Sequence, residues 1–424
     1  LLAIWLGMPP FQWYLDLPWG TWAIRKVELV RWVPFLIGLA VYGRRFFGWR
    51  WIDAPVVAFC LCPLLAGIGN QRGWSHSAWE CAKEFSYWCI PYLLGRFVFD
   101  TESARRVLAS SVVIGAVLYL PPIALEILHG PVLVGWMTGD ATSLVWRGAA
   151  RGTTFRPAVF LGSGFVLTMF LVWAVLIVLH RLGMVLDGSA WPPRWKAAGV
   201  PLIVAVGLSA TVLACRSLGS ILLMVTGILA TAAFRGRLRI VPLAVLALVP
   251  LAYLGSRISG TASTERIGAF AKQWVSEERA GSLAYRFRAE DQVLQKMAGH
   301  WILGYGDWGL WNQGQDSLAL DGFWLFLLTR TGLLSIVAWL AMVWIPFYVI
   351  VLALARRPSR FIGTAAEPCA LFLALSMVDS LFNYFSEAPV MLCVGLVTTW
   401  ALQCRDEEAG IDSPVPVWNP EAGA

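Results

Sequence analysis

Two kinds of side chain in this sequence stand where they can act on a ligand: arginines at one set of ends of apolar runs, and a carboxylate that opens another run. Arg216 lies in Leu213-Ala214-Cys215-Arg216-Ser217-Leu218-Gly219-Ser220, between two apolar stretches. A charge at such a membrane boundary is costly without a partner or a water-filled cavity, so it marks a functional site by default. The alternative is a side chain that snorkels to lipid headgroups. Arg72, Arg147, Arg151, Arg156, Arg257, Arg266, Arg279, Arg286 and Arg288 fall on the same side. Guanidinium groups gathered at a bilayer surface suit a phosphorylated lipid, because arginine grips phosphate oxygens bidentately and keeps its charge. Local pairing is the competing account: Glu290 stands four residues after Arg286, and Asp291 three after Arg288, spacings that meet on a helix. Asp321 opens the run Asp321-Gly322-Phe323-Trp324-Leu325-Phe326-Leu327-Leu328, where the helix dipole favours a carboxylate. It is either a chemical group or an N-cap. His300 precedes the turn Gly304-Tyr305-Gly306, as a ligand or as an interfacial packing residue.

These residues need a frame, and composition supplies it. The chain has 424 residues, 58% hydrophobic and 14% charged, where a soluble domain carries about 25% charged residues. This excludes a soluble enzyme, a DNA-binding regulator and a secreted disulfide scaffold. The eight cysteines lie mostly in apolar runs without zinc spacing and read as small hydrophobes. With about 20 apolar residues needed per crossing, spans fall near 28–43, 52–69, 84–99, 107–128, 158–180, 199–215, 219–234, 239–255, 321–352, 366–382 and 388–403. An incomplete one is expected at 1–15, since the first residue is Leu within an apolar run. The fold class is all-α, a polytopic membrane protein of about 11–12 transmembrane helices.

The short basic connections (Arg44, Arg45, Arg50; Arg96, Arg105, Arg106; Arg181, Arg194, Lys196; Arg235, Arg237, Arg239; Arg356, Arg357, Arg360; Arg405) alternate onto one side, which the positive-inside rule makes cytoplasmic. The organisation is then 1–255, transmembrane helices; 256–320, one large external loop; and 321–424, transmembrane helices and a short cytoplasmic tail. Amphipathic helices are expected in the loop near 264–279 and 282–299. In the second, Leu283, Phe287, Leu294 and Met297 share a face suited to lying on the membrane. Asp379, Asn383, Glu387 and Glu126 read either as caps and hydrogen-bonding groups or as contacts for sugar hydroxyls.

Several elements, in this order, resemble the O-antigen ligase and O-antigen polymerase superfamily: Pro91-Tyr92-Leu93-Leu94-Gly95-Arg96, Arg156-Pro157, Arg216-Ser217, the loop arginines Arg286 and Arg288, Gly304-x-Gly306, and the Asp321-to-Gly332 helix start. The resemblance implies a bacterial inner-membrane protein with a periplasmic active face. It would transfer a glycan from an undecaprenyl-pyrophosphate-linked oligosaccharide, without cofactor or metal. Arg216 resembles the family's membrane-boundary arginine, and Arg286 or Arg288 its loop arginine, which hold the pyrophosphate. Asp321 stands where the lipopolysaccharide ligases have a histidine and looks more like the polysaccharide polymerases; it would accept the proton from an acceptor hydroxyl. Arg156, Arg288 and His300 are the further substrate-binding candidates. Expected partners are the lipid-linked glycan, membrane lipids and a chain-length regulator or other polysaccharide-assembly proteins, with no nucleic acid. The competing classes are a ligase onto lipid A core or protein, a transporter or flippase for an anionic lipid-linked substrate, and a membrane scaffold.

Overall fold

The computed structural model describes residues 12–17, 20–43, 46, 48–130, 132–138, 150–151, 154–161, 163–186, 195–233, 240–261, 277–306, 321–356, 363–383 and 388–408. The first half carries α1 Lys26–Tyr42, α2 Ala54–Gly69, α3 Trp74–Glu84, α4 Ile90–Phe97, α5 Glu102–Leu118, α6 Leu120–His129 and α7 Val132–Thr138. After it come α8 Gly164–Leu186, α9 Trp195–Ala214, α10 Leu218–Ala233, α11 Ile240–Ile258, α12 Glu277–Lys296, α13 Phe323–Arg356, α14 Ala366–Asp379 and α15 Ala388–Glu408. Two antiparallel hairpins, β1 Gln12–Leu17 with β2 Gly20–Arg25 and β3 Ala150–Arg151 with β4 Thr154–Phe155, complete the described elements.

Among the described residues, six helical stretches are long and apolar enough to cross a bilayer: Trp51–Gly69, Glu102–His129, Gly164–Val185, Val241–Ile258, Phe323–Ala353 and Ala388–Asp406. The chain is a polytopic helical membrane protein. Three expectations change. Residues 12–17 of the expected span at 1–15 form a strand; residues 1–11 lie outside the described ones. The aromatic run Trp13-Tyr14-Leu15 suits a strand, and Gly20–Arg25 supplies its partner. Where a span is expected at 84–99, the helix begins earlier, at Trp74, and reaches α4 through a five-residue π-helical stretch, Phe85–Cys89; it is not among the six membrane-spanning stretches. Of the loop helix expected at 264–279, only 277–279 are described, and they belong to α12.

The core is built around α8, which is buried on every side from Val166 to Val178. A helix apolar all round has no solvent face to keep, and here α5, α9, α10 and α14 surround it. Trp173 stacks on Phe372 of α14 with ring centroids 5.1 Å apart. On the other flank α4 and α15 meet at Gly95 and Gly395: a Cβ on either would come within 2.1 Å of a backbone carbonyl oxygen of the partner. Small residues permit this close helix contact where no hydrophobic effect drives association.

α13 is broken at Gly332, whose φ of 74° is open to glycine. In apolar surroundings the freed backbone groups must find partners, and residues 301–306 supply them. Tyr305 and Gly306 N–H donate to the Thr329 and Arg330 carbonyls at 2.8 and 2.9 Å, while Leu333 N–H donates to the Trp301 carbonyl at 2.8 Å. The Gly304 turn therefore re-enters the bundle, and it splices the segment after α12 onto α13. Beside the splice, Arg330 pairs with Glu80, at 2.7 Å, and with Glu84.

Candidate functional site

At the end of the bundle where α10 and α13 start and α14 finishes, four chain segments converge. The first is the approach to α8. Glu126, fully buried, accepts the Ala158 and Val159 N–H at 2.9 and 2.7 Å. It holds Val159 in the left-handed region at φ 49° and so shapes the Arg156-Pro157 turn. Glu126 thus has a positioning use that accounts for its burial. Arg156 donates from Nη2 to Ser217 Oγ at 3.2 Å.

The second segment is the turn between α9 and α10. Arg216 is exposed and takes φ 53°, a conformation that costs a bulky side chain free energy and that clusters at functional sites. Behind it, Ser217 Oγ lies 3.0 Å from Ser220 Oγ, which donates to Thr168 Oγ1 at 3.0 Å. This hydroxyl ladder ties the start of α10 to α8.

The third is α12. Phe287 and Met297 of its expected apolar face are buried, and Met297 joins Val293 in the common core with Leu294 packed against it. The helix is clasped to α11 by Arg257, whose side chain is 2% exposed and pairs with Glu290 at 2.8 Å and Asp291 at 2.7 Å. Tyr253 Oη donates to the Glu290 carboxylate at 2.8 Å. Burial pushes the Glu290 carboxyl up to about 6, against the pull of Tyr253 and Arg257. Because Arg257 holds both acids, the local i+4 and i+3 pairings of Arg286 and Arg288 do not form in this way. Arg288 is exposed and donates weakly to its own helix, to the Ala284 carbonyl at 3.4 Å.

Arg286 turns instead to the fourth segment. Its Nε lies 3.0 Å from Asp321 Oδ2, the two side chains being 32% and 40% exposed. Asp321 is not the helix cap: α13 begins at Phe323, whose N–H donates to the Ser380 carbonyl at 2.9 Å. Arg286 Nη1 donates to the Phe382 carbonyl at 2.9 Å and to Asn383 Oδ1 at 3.4 Å. Asn383 Nδ2 donates to Asp379 Oδ1 at 2.9 Å, and Asp379 lies within electrostatic reach of both Arg286 and Arg156. The first turn of α10 approaches the same amide: a Cβ on Gly219 would sit 4.0 Å from Asn383 Nδ2.

The structure thus brings Arg156, Arg286 and Asp321 around the end of α14, with the turn that carries Arg216 tied to Arg156 through Ser217, and a shallow notch lies between Arg286, Glu290, Asp321, Leu325 and Phe382. His300 uses its ring within its own turn, with Nδ1 3.3 Å from the Gly304 carbonyl and the ring stacked on Tyr305 at 4.3 Å. Glu387, Arg147 and Arg266 lie outside the described residues. Sequence reasoning missed two contributors. Glu290 stood in it only as a partner for arginine, although it also lines the notch. The carbonyls of 380–382 carry no side-chain signature at all. Chemically, the arrangement offers cationic groups for an anion, and a solvent-reachable carboxylate next to them. The sequence matches no protein-family model and no curated protein.

Proposed function

We propose that this chain is a membrane glycosyltransferase of the O-antigen polymerase type, using a polyprenyl-pyrophosphate-linked oligosaccharide as donor. The observation that carries this reading is the half-exposed Arg286–Asp321 pair, set beside the Arg156–Ser217 turn at one end of a helical membrane bundle. In this reading about 11–12 helices cross the bacterial inner membrane, and the site faces the periplasm, opposite the short basic loops. Arg216, Arg286 and Arg156 neutralise the pyrophosphate, which is already a good leaving group, so positioning and charge do most of the work. The acceptor hydroxyl oxygen forms a bond to the anomeric carbon. The bond from that carbon to the phosphate oxygen breaks, and its electron pair leaves with the polyprenyl pyrophosphate. The hydroxyl proton passes to Asp321 as general base. Attack opposite the leaving group inverts the anomeric centre. Arg286 pairs with Asp321, and a pyrophosphate drawing on the same guanidinium frees the carboxylate for the acceptor.

Transport of an anionic lipid is the reading that the broken α13 favours, because discontinuous helices and buried charges mark many transporter sites. Here the break is filled by residues 301–306, and Arg330 beside it is paired with Glu80 and Glu84. Enzyme chemistry at the bundle end is the better account. The test is a product gel from the full chain in lipid nanodiscs, given a lipid-pyrophosphate-linked repeat. A ladder spaced by one repeat is expected. Product only on addition of a lipid A core or a protein acceptor would make the chain a ligase, and no consumption in either case would overturn glycan transfer.

A further inference from the structure

We infer that the corner Ser380–Asn383 at the end of α14 is the template that sets Arg286 against Asp321, with Asn383 as a positioning residue whose amide is oriented by Asp379. This rests on the glycan-transfer reading and adds residues to it. Three successive carbonyls of the corner each take a different part of the site. Ser380 O accepts the Phe323 N–H at 2.9 Å and Leu381 O accepts Trp324 Nε1–H at 3.1 Å, which fixes the start of α13 next to Asp321. Phe382 O accepts Arg286 Nη1–H at 2.9 Å. These three carbonyls lie just past the last residue of α14, at the negative end of its dipole. The end of α14 is therefore a natural seat for a guanidinium.

Asn383 adds direction to that seat. Its Nδ2 can only donate and does so to Asp379 Oδ1, so Oδ1 is turned to Arg286. With Nε on Asp321 and Nη1 on the corner, the Nη2 group is the part of Arg286 left for a phosphate oxygen. Asn383 also faces the first turn of α10, the helix that follows Arg216. One amide thus lies between Arg286 and the first turn of α10.

The experiment uses the full chain in nanodiscs and reads two quantities: binding of inorganic pyrophosphate by calorimetry, and transfer kinetics with donor and acceptor varied separately. Asn383→Ala is expected to weaken pyrophosphate binding and raise the donor KM about 10-fold, the loss of one hydrogen bond to a charged group. The acceptor KM should stay unchanged and kcat should fall less than about 3-fold. The exchange Asn383→Asp with Asp379→Asn keeps both the net charge and the chain of hydrogen bonds, so it should bind within about 3-fold of the starting protein. If Asn383→Ala does not fold, the exchange variant still carries the test. Wild-type pyrophosphate affinity and donor KM in Asn383→Ala, or failure of a well-folded exchange variant, would overturn the inference while glycan transfer stands. A starting protein that binds no pyrophosphate and consumes no donor would remove both.

Discussion

Two arginine–carboxylate pairs at opposite ends of this bundle, Arg96–Asp53 and Arg286–Asp321, are built in opposite ways. At the end where α2 starts and α15 finishes, Arg96 and Asp53 are 8% and 1% exposed and lie 3.2 Å apart. Tyr92 also donates to Asp53, and Thr399 accepts from Arg96 at 3.2 Å. Nearby, Arg105 donates to the Phe99 and Asp100 carbonyls and to Gln403. Arg50 pairs with Asp406 at 2.5 Å. Each of these guanidiniums is held by groups from another segment, which joins α2, α4 and α15. At the other end Arg286 and Asp321 meet in a notch that solvent reaches. Buried, multiply bonded ion pairs act as joints; a half-exposed pair with donors in reserve can change partners when an anion arrives.

The sharpest way to break this comparison is to remove one carboxylate from each end. Asp321→Asn should lower transfer by about 100- to 10,000-fold, the range of a lost general base, with little change in the melting temperature of the detergent-solubilised protein. A product ladder of normal intensity would take Asp321 out of the chemistry. Asp53→Ala should behave in reverse. It leaves Arg96 buried without its counter-ion, a loss of about 3–5 kcal/mol, so the yield of folded protein should collapse in size-exclusion chromatography. A well-folded Asp53→Ala protein would mean that the closed end is not a joint.

Smaller changes sharpen the contrast within the open end. A Cβ at Gly322 would meet the Leu381 carbonyl at 2.6 Å, so Gly322→Ala must shift the start of α13 away from the corner. An ångström of displacement at a reacting group costs about 100-fold, and the assay should show it in kcat. Arg216→Lys keeps the charge and loses the fork. We expect a donor KM raised about 10-fold if Arg216 grips phosphate bidentately; an unchanged KM would assign it an electrostatic or snorkelling role.

Six of the expected spans were legible in the sequence because burial in lipid writes long apolar runs, and the candidate arginines because charges at the ends of such runs are rare enough to notice. Asp321 stood out for the same reason. The partner of Arg286 was not legible. Glu290 at i+4 is a sufficient partner on a helix taken alone, and only the approach of Arg257 from α11 removes it. Nor could the corner be read, since backbone carbonyls look alike at every residue and their use depends on where a helix happens to end. The strand at 12–17 was hidden by aromatic residues that serve a membrane span and a hairpin equally well.

Glu290 gives the mildest test, because it belongs to both patterns: buried like the closed end, yet lining the open notch. Burial raises its carboxyl from 4.5 to about 6 in the folded protein, so the folded state binds the proton more tightly than the unfolded chain does. Its favourable contribution is then complete below pH 4.5 and is lost as pH rises through about 6. The full span is about 2 kcal/mol. Arg257 also pairs with Asp291 at 2.7 Å, a contact that does not involve the titrating acid, and a tyrosine hydroxyl bonds a protonated acid as donor or acceptor, so the clasp on α12 should survive protonation. Thermal melting from pH 7.5 to 5 should therefore show a rise in stability that Glu290→Gln, already neutral, does not share. Equal pH dependence in the two proteins would place the titration elsewhere. A fall in stability on acidification that Glu290→Gln abolishes would mean instead that the ion pair with Arg257 outweighs the cost of burying the charge, and Glu290 would then belong wholly with the joints.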